Sequence, residues 1–115
     1  MSTEPPLLVL WERVIGDLLD RTVKFPKAVR FTFASRIDNL ALDILELLAE
    51  ARFATRAQKG ELLRQADLRL VRLGVLLRLA FARRYLDSGG FEHVVRGTDE
   101  AGRMLGGWRK SLEGA

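Results

Sequence analysis

Apolar residues recur along this chain at alternating spacings of three and four, which keeps them on one face of a helix with about 3.6 residues per turn. Leu7, Trp11, Val14 and Leu18, widened by Leu8, Ile15 and Leu19, mark a first helix. Phe33, Ile37, Leu40, Ile44, Leu47, Ala51 and Ala54 mark a second, flanked by a row of Ala41, Leu45 and Leu48. Phe91, Val94, Thr98, Ala101, Leu105, Trp108 and Leu112 mark the last. The third helix carries two stripes. Leu63, Ala66, Leu70, Leu73, Leu77, Ala80 and Phe81 share one face, and Leu68, Val71, Val75, Leu79 and Leu86 lie roughly opposite. No segment alternates with period two, so no strand is predicted.

The breaks fall where local chemistry supplies them. Pro26 suits the first turn of a helix, where its missing N–H is not needed, so Phe25-Pro26 is expected to open the second helix. Thr55 and Gln58 have the spacing of a capping box. Asp87-Ser88-Gly89-Gly90 provides a glycine turn to end the third helix and a cap, Asp87 or Ser88, for the fourth. The expected helices therefore span about 5–24, 26–54, 56–87 and 90–113. Short connections make neighbours antiparallel, and the predicted fold is all-α, an up-down-up-down four-helix bundle forming one domain over residues 1–115.

A bundle core buries one face of each helix, so the second stripe of helix three needs an explanation. Either Leu68, Val71, Val75, Leu79 and Leu86 form an interface in a homo-oligomer, or helix three lies deep in the bundle with both stripes buried. Self-association is the simpler resolution.

Composition narrows the functional classes. There is no cysteine, which excludes disulfides and thiolate metal sites. His93 is the one histidine, without a second ligand at zinc-site spacing. Asp43, Glu46 and Glu50 have helical spacing but no accompanying histidine, and read as a solvated face. Gly102, Gly106 and Gly107 fall inside a helical pattern with no preceding strand, so no phosphate-binding loop fits; their expected use is close helix approach beside Trp108. No cofactor and no enzymatic activity are expected. Met1-Ser2-Thr3-Glu4 is acidic, and no apolar run reaches the ~18 residues of a membrane span, so a cytoplasmic protein is expected.

Charge is the remaining signal. The formal net charge is +4. The excess sits in residues 55–88, where Arg56, Lys59, Arg64, Arg69, Arg72, Arg78, Arg83 and Arg84 face only Glu61, Asp67 and Asp87. Antiparallel packing also brings the first and third loops to one end of the bundle. That end gathers Arg21, Lys24, Lys27, Arg30, Arg83 and Arg84 against Asp20, Asp87 and Glu92. Lys27 and Arg30 fall in the first turns of helix two, beside free N–H groups that suit a phosphate oxygen. A polyanion-binding surface and an ordinary solvated face both fit this pattern.

Several stretches together resemble one family. Phe25-Pro26-Lys27, with Arg30, Arg36, Leu45-Glu46 and Ala51, is similar to the second helix of small bacterial four-helix proteins. These are the proteins of ribosomal RNA intervening sequences and the accessory variability determinant (Avd) proteins of diversity-generating retroelements. Leu77-Arg78-Leu79, Arg84-Tyr85-Leu86, Phe91-Glu92-His93 and Gly102-Arg103-Met104-Leu105-Gly106-Gly107-Trp108 resemble the Avd branch more closely.

The Avd resemblance implies a non-enzymatic homo-oligomer, pentameric in that family. Its implied partners are a reverse transcriptase and nucleic acid, RNA first and DNA as an alternative, during mutagenic cDNA synthesis. It carries nucleic-acid contacts onto Lys27, Arg30, Arg36, Arg78, Arg84 and Arg103. The rival readings are an intervening-sequence protein, a protein scaffold that ignores nucleic acid, and a small-molecule-binding bundle.

Overall fold

Trp11 sets the centre of the molecule. Its ring is fully buried, and its indole N–H donates to the main-chain carbonyl of Ala41 at 2.9 Å, so the one polar atom of the side chain is satisfied inside the core. The computed structural model describes residues 5–113. The acidic stretch Met1–Glu4, on which part of the cytoplasmic expectation rests, lies outside them.

Four helices, α1 (Pro6–Thr22), α2 (Ser35–Phe53), α3 (Arg56–Ala82) and α4 (Ser88–Ser111), close into a bundle of about 48 × 26 × 21 Å. Side-chain links fix the antiparallel order. Thr22 at the end of α1 donates to Asp38 at the start of α2 (2.7 Å), and Arg109 late in α4 pairs with Asp67 early in α3 (3.0 Å). Arg56 at the start of α3 donates twice to the Leu112 carbonyl beyond α4. His93, early in α4, meets Asp17, late in α1, at 2.9 Å.

The predicted faces supply the core of every helix. On α2, however, Ala41 and Leu48 of the flanking row are buried while Leu40 and Leu47 are half-buried, and Phe81, expected on the α3 core face, is exposed. Leu7, Leu8, Val14, Ile15 and Leu18 join Trp11 from α1; Ile37, Ala41, Ile44, Leu48 and Ala51 come from α2; Val94, Ala101 and Leu105 come from α4. Leu63, Ala66, Leu73, Leu77 and Ala80 fill the α3 side. Leu19 is exposed instead, at the edge of the α1 stripe. Thr55 caps α3 with the full reciprocal box: the Gln58 N–H donates to its hydroxyl, and its own N–H donates to the Gln58 side chain.

Three local features differ from the sequence expectation. First, Pro26 does not open an α-helix. A 3₁₀ turn (Lys27–Val29) and a π turn (Arg30–Ala34) precede α2. The Ser35 hydroxyl donates to the Arg30 carbonyl at 2.8 Å, helping to close the wider turn.

Second, α3 stops at Ala82 without using the glycines. Arg84 takes a left-handed conformation (φ 65°), the Tyr85 N–H reaches the Ala80 carbonyl and the Arg84 N–H reaches that of Phe81. This is a Schellman ending with arginine where glycine is usual. Leu86 therefore leaves the α3 stripe and is buried in the chain's own core. Gly89 and Gly90 belong to the first turn of α4, which Asp87 caps by accepting from the Gly90 N–H at 2.6 Å.

Third, the close approach of α4 is not at Gly102, Gly106 or Gly107. A Cβ at any of these would meet nothing within 4 Å. Within the packed length of the helix the tight point is Gly97, where a Cβ would lie 2.8 Å from Val14 Cγ2 of α1; Gly90, in the first turn, is covered by Arg21.

Candidate nucleic-acid interface

The basic end is assembled by an aromatic cluster. Phe25 from the first loop and Phe33 from the π turn both pack on Tyr85, with ring centroids 5.7 and 5.3 Å away. These contacts bring the 24–34 segment to the end of α3. Lys24, Lys27, Arg30, Arg83 and Arg84 are all exposed around that end.

Arg21 is used differently. Its guanidinium lies over Gly90 at the start of α4, where a Cβ would come within 2.7 Å of Nη1, and its Nε is buried without a hydrogen-bond partner. It belongs to the junction of α1 and α4. Arg83 is partly engaged too, reaching the Tyr85 hydroxyl at 3.5 Å. That hydrogen bond raises the Arg83 pKa above its ordinary value.

The six predicted contact residues divide into three groups. Lys27, Arg30 and Arg84 share the basic end. Arg78 and Arg103 line one groove between α3 and α4, along with Asp67 and Asp99. Arg36 lines a different groove, between α2 and α3, beside Val71, Val75 and Arg72. All six are exposed, and among the described residues none makes an ion pair or a side-chain hydrogen bond. By contrast Arg56, Arg64 and Arg109 are tied to the Leu112 carbonyl, Glu61 and Asp67. The ion-paired Arg64 and Arg109 are neutralised locally, whereas unpaired cations project a field that an anion can meet.

The sequence itself marks the basic end with an uninterrupted run of cations. From Arg21 to Ile37 there are five cations, Arg21, Lys24, Lys27, Arg30 and Arg36, and no carboxylate. Counting charge by whole segments hides this run because Asp20 and Asp38 bracket it.

The α3 stripe is open to solvent. Leu68, Val71, Val75 and Leu79 are 45, 61, 47 and 46% exposed, so the bundle does not bury both faces of α3. Four apolar side chains at helical spacing form a continuous ridge rather than scattered exposure.

No cluster of three or more potential metal ligands occurs among the described residues. Hydrogen bonds from Arg64 and then Gln65 hold the Glu61 pKa down to about 2 in an exposed ion pair. Thr32, Ser35 and Ser111 donate their hydroxyls to main-chain carbonyls. Among the described residues no helix is long and apolar enough to cross a membrane.

The described residues form a small all-α four-helix bundle with exposed cations at one end and an open apolar ridge on α3. The chain belongs to the bAvd-like family, whose model matches residues 9–112. Proteins of this family are non-enzymatic accessory proteins. No curated protein matches the chain.

Proposed function

We propose that this bAvd-like protein is a nucleic-acid-binding accessory subunit of a diversity-generating retroelement, associating with the reverse transcriptase and its RNA during mutagenic cDNA synthesis. The observation that carries the nucleic-acid part is the set of exposed, unpaired cations Lys27, Arg30 and Arg84 at one end of the bundle. Phosphate contacts by such side chains release counterions and need no fixed motif. Arg36, Arg78 and Arg103 extend the cationic surface along the two grooves.

The open ridge of Leu68, Val71, Val75 and Leu79 supports self-association, and the family resemblance implies five copies. Closed rotational symmetry would repeat the basic end once per subunit and sum its field. RNA is the favoured nucleic acid, and the cytoplasm the site of action. The ridge also favours a second reading, a protein scaffold that binds the polymerase without touching nucleic acid.

Reconstitution separates the two. The protein, a reverse transcriptase of such an element and its template RNA are combined, and cDNA yield is measured with the parent and with Arg30→Glu/Arg84→Glu. Loss of cDNA with retained polymerase binding supports the accessory role through nucleic acid. Unchanged cDNA yield favours the scaffold. Sedimentation of the parent and of Val71→Asp/Val75→Asp reports on the ridge, with dissociation expected for the variant.

A further inference from the structure

Phe31 is 86% exposed, the most exposed large apolar residue among those described. It sits in the π turn two residues before Phe33, whose ring packs edge-on against Tyr85. The turn thus directs one aromatic ring inward to fix the end of the bundle and leaves the other in solvent.

The surroundings of Phe31 are cationic. Lys27, Ala28, Arg30 and Thr32 are exposed beside it in the chain, and no carboxylate occurs between Asp20 and Asp38. The Phe33–Tyr85 contact brings Arg84 to the same end. A protein-docking hot spot usually lies in a well-packed pocket whose surroundings exclude water. Here the ring is bordered by charge.

Phe53, 80% exposed at the opposite end, provides the contrast. The Arg52 guanidinium of its own chain lies 4.9 Å from its ring centroid. Among the described residues Phe31 has no such ring or cation contact.

An open aromatic face amid unpaired cations matches a ligand that carries negative charge along a backbone and flat apolar faces beside it. Single-stranded nucleic acid has both; a duplex hides its base faces in the stack. We propose that Phe31 is a stacking platform for an unpaired base of single-stranded RNA, with Lys27, Arg30 and Arg84 holding the adjacent phosphates. This rests on the nucleic-acid-binding reading above and gives it a substrate form, single strand over duplex.

The test is binding of an unstructured RNA dodecamer and of a duplex RNA of equal length at one fixed low salt concentration. The parent, Phe31→Ala, Phe31→Trp and Arg30→Glu/Arg84→Glu are compared, and circular dichroism checks their folding. Phe31→Ala is expected to weaken single-strand binding about ten-fold, within the range of one lost stacked base. Duplex binding should be unchanged, and Phe31→Trp should retain single-strand affinity. The charge reversal should weaken both ligands.

If the parent binds RNA and Phe31→Ala binds the single strand equally well, the stacking role is overturned while nucleic-acid binding stands. Parent protein that binds neither RNA overturns both. A change in sedimentation of Phe31→Ala, with no change in RNA affinity, overturns stacking by assigning the ring to a protein contact.

Discussion

Gly97 of α4 and Val14 of α1 meet so closely that a Cβ on Gly97 would lie 2.8 Å from Val14 Cγ2. Val14 is buried and β-branched, so it cannot turn aside freely. Alanine at position 97 gains about 1 kcal/mol of helix propensity but meets an overpacking cost of about 1–3 kcal/mol. Gly97→Ala is therefore expected to lower stability, by about 1 kcal/mol net in chemical denaturation. Adding Val14→Ala should make the double variant less destabilised than the sum of the single ones. Simple additivity would contradict the contact.

Gly106 is the opposite case. It is exposed on α4 with nothing near a would-be Cβ. Gly106→Ala should raise stability by about 0.5–1 kcal/mol, through backbone entropy alone. A loss on thermal unfolding would show a packing role that the bundle does not reveal.

Arg84 holds φ at 65°, where an L-residue is strained by about 1–2 kcal/mol. Part of that is offset for glycine by its greater freedom when unfolded. Arg84→Gly should thus stabilise the fold by about 0.5–1 kcal/mol while weakening RNA binding. An arginine kept in a glycine position is a cost the fold bears at its basic end. If the variant gains stability and binds RNA as well as the parent, Arg84 has no binding role.

Asp38 accepts from Thr22 at 2.7 Å, yet burial outweighs that hydrogen bond and raises its pKa above 3.8. The folded state therefore holds the proton to higher pH than the unfolded chain does. Its favourable contribution is complete below pH 3.8 and is lost as pH rises through the folded pKa. Asp38→Asn keeps an acceptor and does not titrate. Its stability relative to the parent should increase from about pH 3 to pH 7, read as the difference in unfolding midpoints. A difference independent of pH would mean that Asp38 is not desolvated.

The helices were legible because their signals are local. Trp11, Ile44, Leu77 and Leu105 stand on faces that spacing alone defines, and Thr55 with Gln58 forms its box within one turn. The α3 ridge was legible too, as far as Leu79. Leu86 was misplaced because continuing a stripe assumes a continuing helix, and the left-handed Arg84 has no marker in residue type. The π turn at Arg30–Ala34 escaped for a related reason: one hydrogen-bonding register differs from another by a single residue, without a change in composition. Gly97 was missed because spacing identifies a face but not the point along it where two helices touch. The site was half legible. Lys27, Arg30 and Arg84 do gather at one end, whereas Arg78 with Arg103 and Arg36 lie along separate grooves that only packing defines.

The central claim is that this surface binds nucleic acid through unpaired cations, and affinity for a structured RNA across a salt series tests it most directly. Binding that weakens steeply with salt, with a shallower slope for Arg30→Glu/Arg84→Glu, is the predicted result, since each lost phosphate contact reduces the slope by about one. No binding at low salt, or binding whose salt dependence is unchanged by the reversal, would contradict it.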